Sequence, residues 1–79
     1  MEKIYERLSE VFSDFFDEDI KVDENTTAND IEDWDSLNHI TLIAAVEDEF
    51  GLTFTMGEVS GMKNVGEMAE IIKARGKKL

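Results

Sequence analysis

The sequence lacks several residue types on which protein chemistry often depends. It has no cysteine, so the chain forms no disulfide bond and offers no thiolate as a nucleophile or metal ligand. Its single histidine, His39, is too few for an imidazole-based metal site. There is also no proline, no repeat and no low-complexity tract to mark a domain boundary. We therefore expect one small domain over residues 1–79.

Long apolar runs are missing as well. Hydrophobic residues make up 42% of the chain, which is enough for a compact core, but each apolar run is only a few residues long. Such runs are too short to cross a membrane. The first residues alternate in charge and lack the apolar stretch of a secretory signal, so we expect a cytoplasmic location.

Positive charge is scarce and lies toward the two ends. The chain has 8 Lys and Arg residues against 19 Asp and Glu residues, a formal net charge of −11. No Lys or Arg lies between Lys21 and Lys63, an interval that holds Asp23, Glu24, Asp30, Glu32, Asp33, Asp35, Glu47, Asp48, Glu49 and Glu58. This one-sided charge disfavours nucleic acid and anionic lipid, and it favours protein partners with basic surfaces.

The spacing of apolar residues predicts an all-α fold. Three longer helices are expected over residues 2–16, residues 36–50 and the segment between Asn64 and Gly76, with a short third helix over residues 56–60. A long loop rich in Asp, Asn and Thr separates helices one and two, and Ile20, Val22 and Ile31 are expected to pin it to the core. The predicted architecture is a small four-helix bundle.

The second predicted helix has clear end signals and an apolar stripe. Asp35 is a good N-cap and Gly51 a good C-terminal stop. Asn64, with Glu67 three residues later, suggests a capping box for the last helix. The second helix is expected to carry one apolar stripe of Leu37, Ile40, Ile43 and Ala44, widened by Leu42 and Val46.

The acidic loop does not fit a calcium site. An EF-hand loop needs Gly at its sixth position and Glu at its twelfth. Counting from Asp23 places Ala28 and Trp34 at those positions, and counting from Asp17 places Val22 and Ala28 there. We predict no metal cage.

Ser36 is the strongest candidate functional residue. It follows the acidic loop and opens the amphipathic second helix within the run Asp35-Ser36-Leu37. Because a helix N-terminus offers unpaired N–H groups and a positive dipole end, a phosphate esterified to this serine would be stabilised. A serine in a first turn is also common without modification. Attachment of a prosthetic group requires that the Ser36 side chain be exposed at the helix start.

The residues next to Ser36 include a possible catalytic set and one aromatic side chain. Ser36, His39 and Asp35 form a Ser-His-Asp set on paper, but three residues on one helical turn rarely align as nucleophile, base and orienter. We therefore predict no hydrolase activity. His39 is expected to be solvated near the helix start, and Trp34 to anchor the loop over the core.

The stretch from Asp33 to Gly51 resembles the modification site and second helix of acyl carrier proteins. The shared features are the Asp-Ser-Leu triplet at 35–37, the apolar spacing after it and the Glu-Asp-Glu-Phe close at 47–50. The resemblance extends over nearly the whole chain in length, acidity and helix order.

The resemblance implies a covalent cofactor. Ser36, flanked by Asp35 and Leu37, would receive 4′-phosphopantetheine from coenzyme A through a separate, magnesium-using phosphopantetheinyl transferase. The thiol of that arm would hold acyl groups as thioesters, which makes the chain a carrier rather than an enzyme. It would shuttle intermediates between enzymes of fatty acid, lipid or polyketide-type biosynthesis, and a monomer is expected.

The resemblance also implies two further sets of residues. Acyl-loading and acyl-using enzymes with basic patches would dock on Asp35, Leu37, Ile40, Glu47 and Asp48, with Glu49 as a further candidate. Candidates to line an acyl pocket are Leu42, Ala45, Val46, Val59, Met62 and Met68, for which plain core packing is the alternative.

Some positions depart from the carriers of housekeeping fatty-acid synthesis. Asn38 and Thr41 occupy positions where those carriers often have acids, and Glu58 is the only acidic residue of the short third helix. These departures indicate a specialised, stand-alone carrier. An aminoacyl or peptidyl carrier, an unmodified acidic interaction module and a divalent-ion buffer are the alternatives.

Overall fold

Four α-helices and one 3₁₀ turn follow one another along residues 2–79, the residues that this computed structural model describes. Their bounds are α1 Glu2–Phe16, the 3₁₀ turn Ala28–Asp30, α2 Ser36–Phe50, α3 Met56–Gly61 and α4 Val65–Arg75. α1 packs against both α2 and α4. The structure confirms the predicted all-α bundle with three longer helices, a short third helix and a long first connection.

The core lies where one face of each longer helix meets the others. α1 contributes one buried residue per turn, at i, i+4 spacing: Ile4, Leu8, Phe12 and Phe16. α4 buries Val65, Met68, Ala69 and Ile72 against it. Removing this apolar surface from water is the main force that holds the small bundle together.

The apolar face that α2 buries differs from the predicted stripe. The buried residues are Leu42, Ile43, Val46 and Phe50, whereas Leu37, Ile40 and Ala44 are exposed. α2 therefore has two apolar faces on opposite sides, because residues 37, 40 and 44 share one side and residues 42, 46 and 50 share the other. Only the second side contacts the core, so the prediction of a single stripe was wrong: Leu37, Ile40 and Ala44 lie apart from Leu42 and Val46.

Two serine hydroxyls of α1 hold the first half of the long loop. Ser13 Oγ accepts a hydrogen bond from the Ile20 N–H at 2.9 Å, and Ser9 Oγ accepts one from the Val22 N–H at 3.0 Å. Val22 and Ile31 are buried, and Ile20 packs against the core while half-buried. These contacts confirm that the three apolar residues pin the loop.

The middle of the loop is tied to the start of α4. The carbonyl of Thr26 accepts from the Val65 N–H at 2.8 Å, and that of Glu24 accepts from the Gly66 N–H at 3.2 Å. A Cβ on Gly66 would lie only 2.7 Å from the Glu24 carbonyl oxygen, so this close approach requires glycine. The loop is thus held through its first half and its middle before it reaches α2.

The N-terminal cap of α4 is not the reciprocal box that the sequence suggests. Asn64 Oδ1 accepts from the Glu67 N–H at 2.9 Å, as expected. Glu67 Oε2, however, accepts from the Lys63 N–H at 2.8 Å, one residue before the cap.

Within residues 2–79, no helix is both long and apolar enough to cross a membrane.

Candidate attachment site and adjacent groove

Ser36 is exposed and is the first residue of α2. Asp35 immediately before it has extended backbone, and its carboxylate accepts a hydrogen bond from the Asn38 N–H at 2.9 Å. The carbonyl of Asp35 accepts the first intrahelical bond, from the His39 N–H at 2.9 Å. Asp35 therefore fixes where the helix begins, and the Ser36 side chain is presented at that end.

The chain that leads into Ser36 is anchored on both sides. Trp34 is buried and packs edge-on against Phe12, with ring centroids 5.2 Å apart. Asn38 Nδ2 donates to the Asp33 carbonyl at 2.6 Å, which closes the loop back onto α2. Trp34 is thus the loop anchor that the sequence predicts, and Ser36 sits on a well-held turn.

His39 is not solvated, contrary to expectation. Its Nδ1 accepts from the Trp34 indole N–H at 3.0 Å, and its Nε2 lies 3.1 Å from the Val59 carbonyl oxygen. Because the indole can only donate and the carbonyl can only accept, both contacts are satisfied when the proton of a neutral imidazole is on Nε2. The ring therefore bridges the loop, α2 and α3.

A sequence signal for the Trp34–His39 contact does exist. With Asp35 as the N-cap, Trp34 occupies N′ and His39 occupies N4, the two positions that meet in a hydrophobic staple. The rings lie 5.8 Å apart. The bond to Val59 crosses between helices and leaves no such local signal.

These bonds also describe what the Ser-His-Asp set does. Both imidazole nitrogens are engaged by Trp34 and Val59, and the Asp35 carboxylate accepts from a backbone N–H. A general base must reach the hydroxyl that it deprotonates. The His39 and Asp35 side chains thus hold the start of α2, and within residues 2–79 neither is hydrogen-bonded to the Ser36 hydroxyl.

A groove of about 340 Å³ opens beside Ser36, between the start of α2 and α3. Its surface is largely apolar, with Trp34, Ile40, Val59 and Met62 among its lining residues. Ser60 and Lys63 also line it, and neither was singled out from the sequence. Lys63 is the only Lys or Arg between residues 22 and 72, so it supplies the one positive side chain of this region.

The structure brings together part of the predicted acyl-pocket set. Val59 and Met62 line the groove. Leu42, Val46 and Met68 are fully buried in the core, and Ala45 is half-buried on α2. The predicted set is therefore divided between the groove and the core.

The predicted docking residues are distributed unevenly over the surface. Leu37 and Ile40 are 83% and 65% exposed, which is unusual for large apolar side chains. Asp48 is exposed and shares an outward stripe with Leu37, since positions 37, 41, 44 and 48 repeat at helical spacing.

Glu47 and Glu49 instead have partners within the chain. Glu47 Oε2 accepts from the Phe54 N–H at 2.7 Å. The Glu49 carboxylate is ion-paired with Arg7 at 2.9 Å. Of the three acids that close α2, only Asp48 faces outward without such an engagement among residues 2–79.

α3, which forms one wall of the groove, is stabilised mainly by polar contacts. Thr55 caps it through a reciprocal box with Glu58, in which the Thr55 N–H donates to Glu58 at 2.8 Å. Glu58 also pairs with Arg75 of α4. The backbone hydrogen bond from Thr55, followed by the bond from Arg75, holds the pKa of the Glu58 carboxyl below its ordinary value of 4.5.

The first turn of α2 suits an esterified phosphate. The N–H groups of Ser36 and Leu37 have no intrahelical acceptor, as in any first turn, and they lie at the positive end of the helix dipole. Among residues 2–79, no group of three or more His, Cys, Asp or Glu side chains is arranged to hold a metal ion.

An exposed serine at the start of a helix, beside an apolar groove in a small helical bundle, fits the class of carrier proteins that bear a covalent prosthetic group. The family model described as the phosphopantetheine attachment site matches residues 6–72. The chain is 31% identical, over 74 residues, to an acyl carrier protein of Lactobacillus acidophilus, with 92% of each chain covered.

A solved structure agrees with the sequence matches. The solution NMR structure of holo acyl carrier protein from Geobacter metallireducens matches with a TM-score of 0.83 and 38% identity, covering 90% of this chain and 83% of that one. The chain belongs to the acyl carrier protein family, and it carries acyl intermediates on a covalently attached 4′-phosphopantetheine.

Proposed function

We propose that Ser36 is the attachment residue and that the chain acts as a single, specialised carrier domain rather than as a catalyst. The observation that carries this assignment is the exposed Ser36 side chain at the first position of α2, lining the groove. The bound group supplies a terminal thiol that holds cargo as a thioester, which a chain without cysteine does not provide itself.

The residues around Ser36 fit such a group. The first-turn N–H groups of α2 would stabilise an anionic phosphodiester, and Lys63 adds a positive charge at the groove. The apolar lining from Ile40, Val59 and Met62 gives a flexible arm or its cargo a surface on which to lie. The chain's own part is to present the hydroxyl and to shelter what is attached.

The docking face that we propose is narrower than the full acidic set. It comprises Leu37 and Ile40 at its centre, with Asp35 and Asp48 at its two ends. Exposed apolar side chains flanked by carboxylates suit enzymes that have a shallow apolar depression rimmed by Lys and Arg. We assign Glu47 a structural role first, because its carboxylate holds the Phe54 N–H.

Asn38 and Thr41 support a specialised set of partners. Asn38 uses its side-chain amide to hold the Asp33 carbonyl, and Thr41 is exposed on the outward stripe, so neither adds negative charge to the docking face. Electrostatic complementarity governs partner choice and encounter rate more than tightness of binding. A carrier with fewer acids there is expected to discriminate against enzymes that need them.

Intact-protein mass spectrometry tests the assignment. Coexpression with a broad-specificity phosphopantetheinyl transferase should add the mass of one prosthetic group, and Ser36→Ala should abolish that addition. Ser60→Ala is the matched control, because Ser60 lines the same groove and should leave modification intact.

The alternative outcomes are distinct. Modification that persists in Ser36→Ala would place the attachment residue elsewhere. A wild-type chain that stays unmodified with several transferases would instead favour an unmodified acidic interaction module.

A further inference from the structure

The His39–Val59 hydrogen bond joins the two walls of the groove. His39 belongs to α2 and Val59 to α3, and both line the groove beside Ser36. The other imidazole nitrogen accepts a hydrogen bond from the Trp34 indole, which packs on Phe12 of α1. The bond therefore links α3, through His39 and Trp34, to the core residue Phe12 of α1.

α3 is otherwise the least firmly packed helix. It spans six residues, contains Gly57 and Gly61, and has no fully buried residue, although Val59 packs partly against the core. A segment with few buried contacts opens at low free-energy cost compared with the core helices. The bond from His39 ties this wall to α2, and the Glu58–Arg75 ion pair ties it to α4.

This wall packs against the interior. Val59 of α3 and Met62 just after it contact the core cluster that contains Leu42, Val46 and Met68, which are fully buried. An acyl chain attached near Ser36 can lie in the groove without disturbing the bundle. A longer chain gains apolar burial only if it passes between α2 and α3, and this requires the two walls to separate.

We propose that His39 sets the length of acyl cargo that the carrier shelters, by holding α3 against α2 through Val59. With the bond intact, shelter is limited to the groove of about 340 Å³. Without it, longer chains enter between the helices. This inference rests on the proposed function, namely that Ser36 carries the arm.

Two substitutions separate the two bonds of His39. In His39→Gln, the side-chain amide N–H can reach the Nε2 position and donate to the Val59 carbonyl, but the acceptor for Trp34 is lost. In His39→Asn, the amide oxygen occupies the Nδ1 position and accepts from Trp34, but the link to Val59 is lost. The two variants have similar polarity and differ by one methylene, so each acylated protein is compared with its own unacylated holo form to remove the difference in packing.

The experiment loads butyryl, octanoyl and dodecanoyl groups onto each protein, from the matching acyl-coenzyme A and a promiscuous transferase. Loading is verified by intact mass, and Tm is measured against the unacylated holo form. For wild type and His39→Gln, we expect the gain in Tm to level off by octanoyl. For His39→Asn, we expect a further rise of about 4 °C or more from octanoyl to dodecanoyl.

Methyl NMR shifts of Val46 and Met68 give a second readout that does not depend on Tm. The dodecanoyl group should perturb them in His39→Asn and leave them unchanged in wild type. If wild-type Tm continues to rise through dodecanoyl, or if the Asn and Gln variants behave alike, the proposal is overturned. If no protein is loaded at all, the assignment of Ser36 fails instead, so the two failures are distinguishable.

Discussion

Arg7 holds Glu49 through both its side chain and its backbone. The Arg7 Nε and Nη2 donate to the Glu49 carboxylate at 3.0 and 2.9 Å, and Nη2 also donates to the Glu49 carbonyl at 2.9 Å. The guanidinium lies 4.5 Å from the centroid of the Phe50 ring, and it donates to the Lys78 carbonyl at 2.6 Å. A single side chain of α1 thus joins the end of α2 to the C-terminal tail.

We expect Arg7→Ala to lower the free energy of unfolding by about 1–2 kcal/mol. The estimate is modest because both side chains are partly exposed, and water screens their attraction. Urea denaturation at constant pH and salt measures the change. Lys3→Ala is the matched control, because it removes the same charge from the exposed face of the same helix. Equal effects of the two substitutions would show that charge alone, rather than the Arg7 contacts, matters.

Acid should weaken the cap of α3 in a defined pH range. The pKa of Glu58 is held below its ordinary value of 4.5, so the ionised form is favoured in the folded state. A carboxyl whose pKa is lower in the folded state stabilises the fold at every pH above its pKa in the unfolded state. This contribution disappears as the pH falls through the pKa of the folded state. Stability due to Glu58 is therefore present at neutral pH and lost somewhat below pH 4.5.

Comparison of wild type with Glu58→Gln isolates this contribution. We expect the wild type to be more stable at neutral pH, and the difference in urea midpoint to shrink steadily from about pH 5 to about pH 3. Glu32→Gln, which changes an exposed loop carboxylate, should show a smaller difference over the same range. A Glu58→Gln difference that is constant with pH would contradict the assigned role.

Much of the fold follows from local signals in the sequence. Asp35 before α2, Gly51 after it with its left-handed φ of 69°, and Asn64 before α4 are residues whose own chemistry sets a helix end. The position of Ser36 follows from the same signals, because it is the first residue after the Asp35 cap. For this reason the residue that we propose for attachment could be placed at the start of α2 before its surroundings were known.

The groove and the buried face of α2 depend on packing between distant segments. The sequence predicted one apolar stripe on α2, and the packing of α2 against α1 places Leu42 inward while Ile40 is exposed. The bond from His39 to Val59 joins residues 20 apart in the chain, and no local pattern encodes it. Arg7 and Glu49, 42 residues apart, are paired for the same tertiary reason.

Salt should stabilise the protein. The net charge is −11 within a molecule of 29 × 25 × 20 Å, and residues 2–79 contain only two ion pairs, Arg7–Glu49 and Arg75–Glu58. At about 10 mM salt the Debye length is about 30 Å, so every acid repels every other, whereas at about 0.15 M it falls to about 8 Å. We expect Tm to rise by several degrees over this range.

Magnesium chloride at matched ionic strength distinguishes screening from binding. Equal Tm values in the sodium and magnesium salts would indicate screening alone, whereas a larger gain with magnesium would indicate that clustered acids hold the divalent ion. A Tm that does not change with either salt would contradict the view that acid repulsion limits stability.

Substitution of the two adjacent acids should affect different properties: Asp48 the rate of phosphopantetheine transfer, and Glu47 the stability of the fold. Asp48 is exposed on the outward stripe with Leu37, so Asp48→Asn should lower the kcat/KM of phosphopantetheine transfer about two- to fivefold and leave stability nearly unchanged. Glu47 holds the Phe54 N–H, so Glu47→Ala should cost about 1 kcal/mol of stability. Glu47→Gln keeps an oxygen acceptor and should change neither quantity much.

Transferase kinetics at low and high salt, together with urea denaturation of each variant, make the distinction. The Asp48→Asn defect should diminish at high salt, since a docking charge acts through a field that salt screens, whereas the Glu47→Ala loss of stability should persist. A larger kinetic defect for Glu47→Gln than for Asp48→Asn would mean that the Glu47 charge faces the partner despite its bond to Phe54. The docking face would then have to extend around α2 toward the segment that follows it.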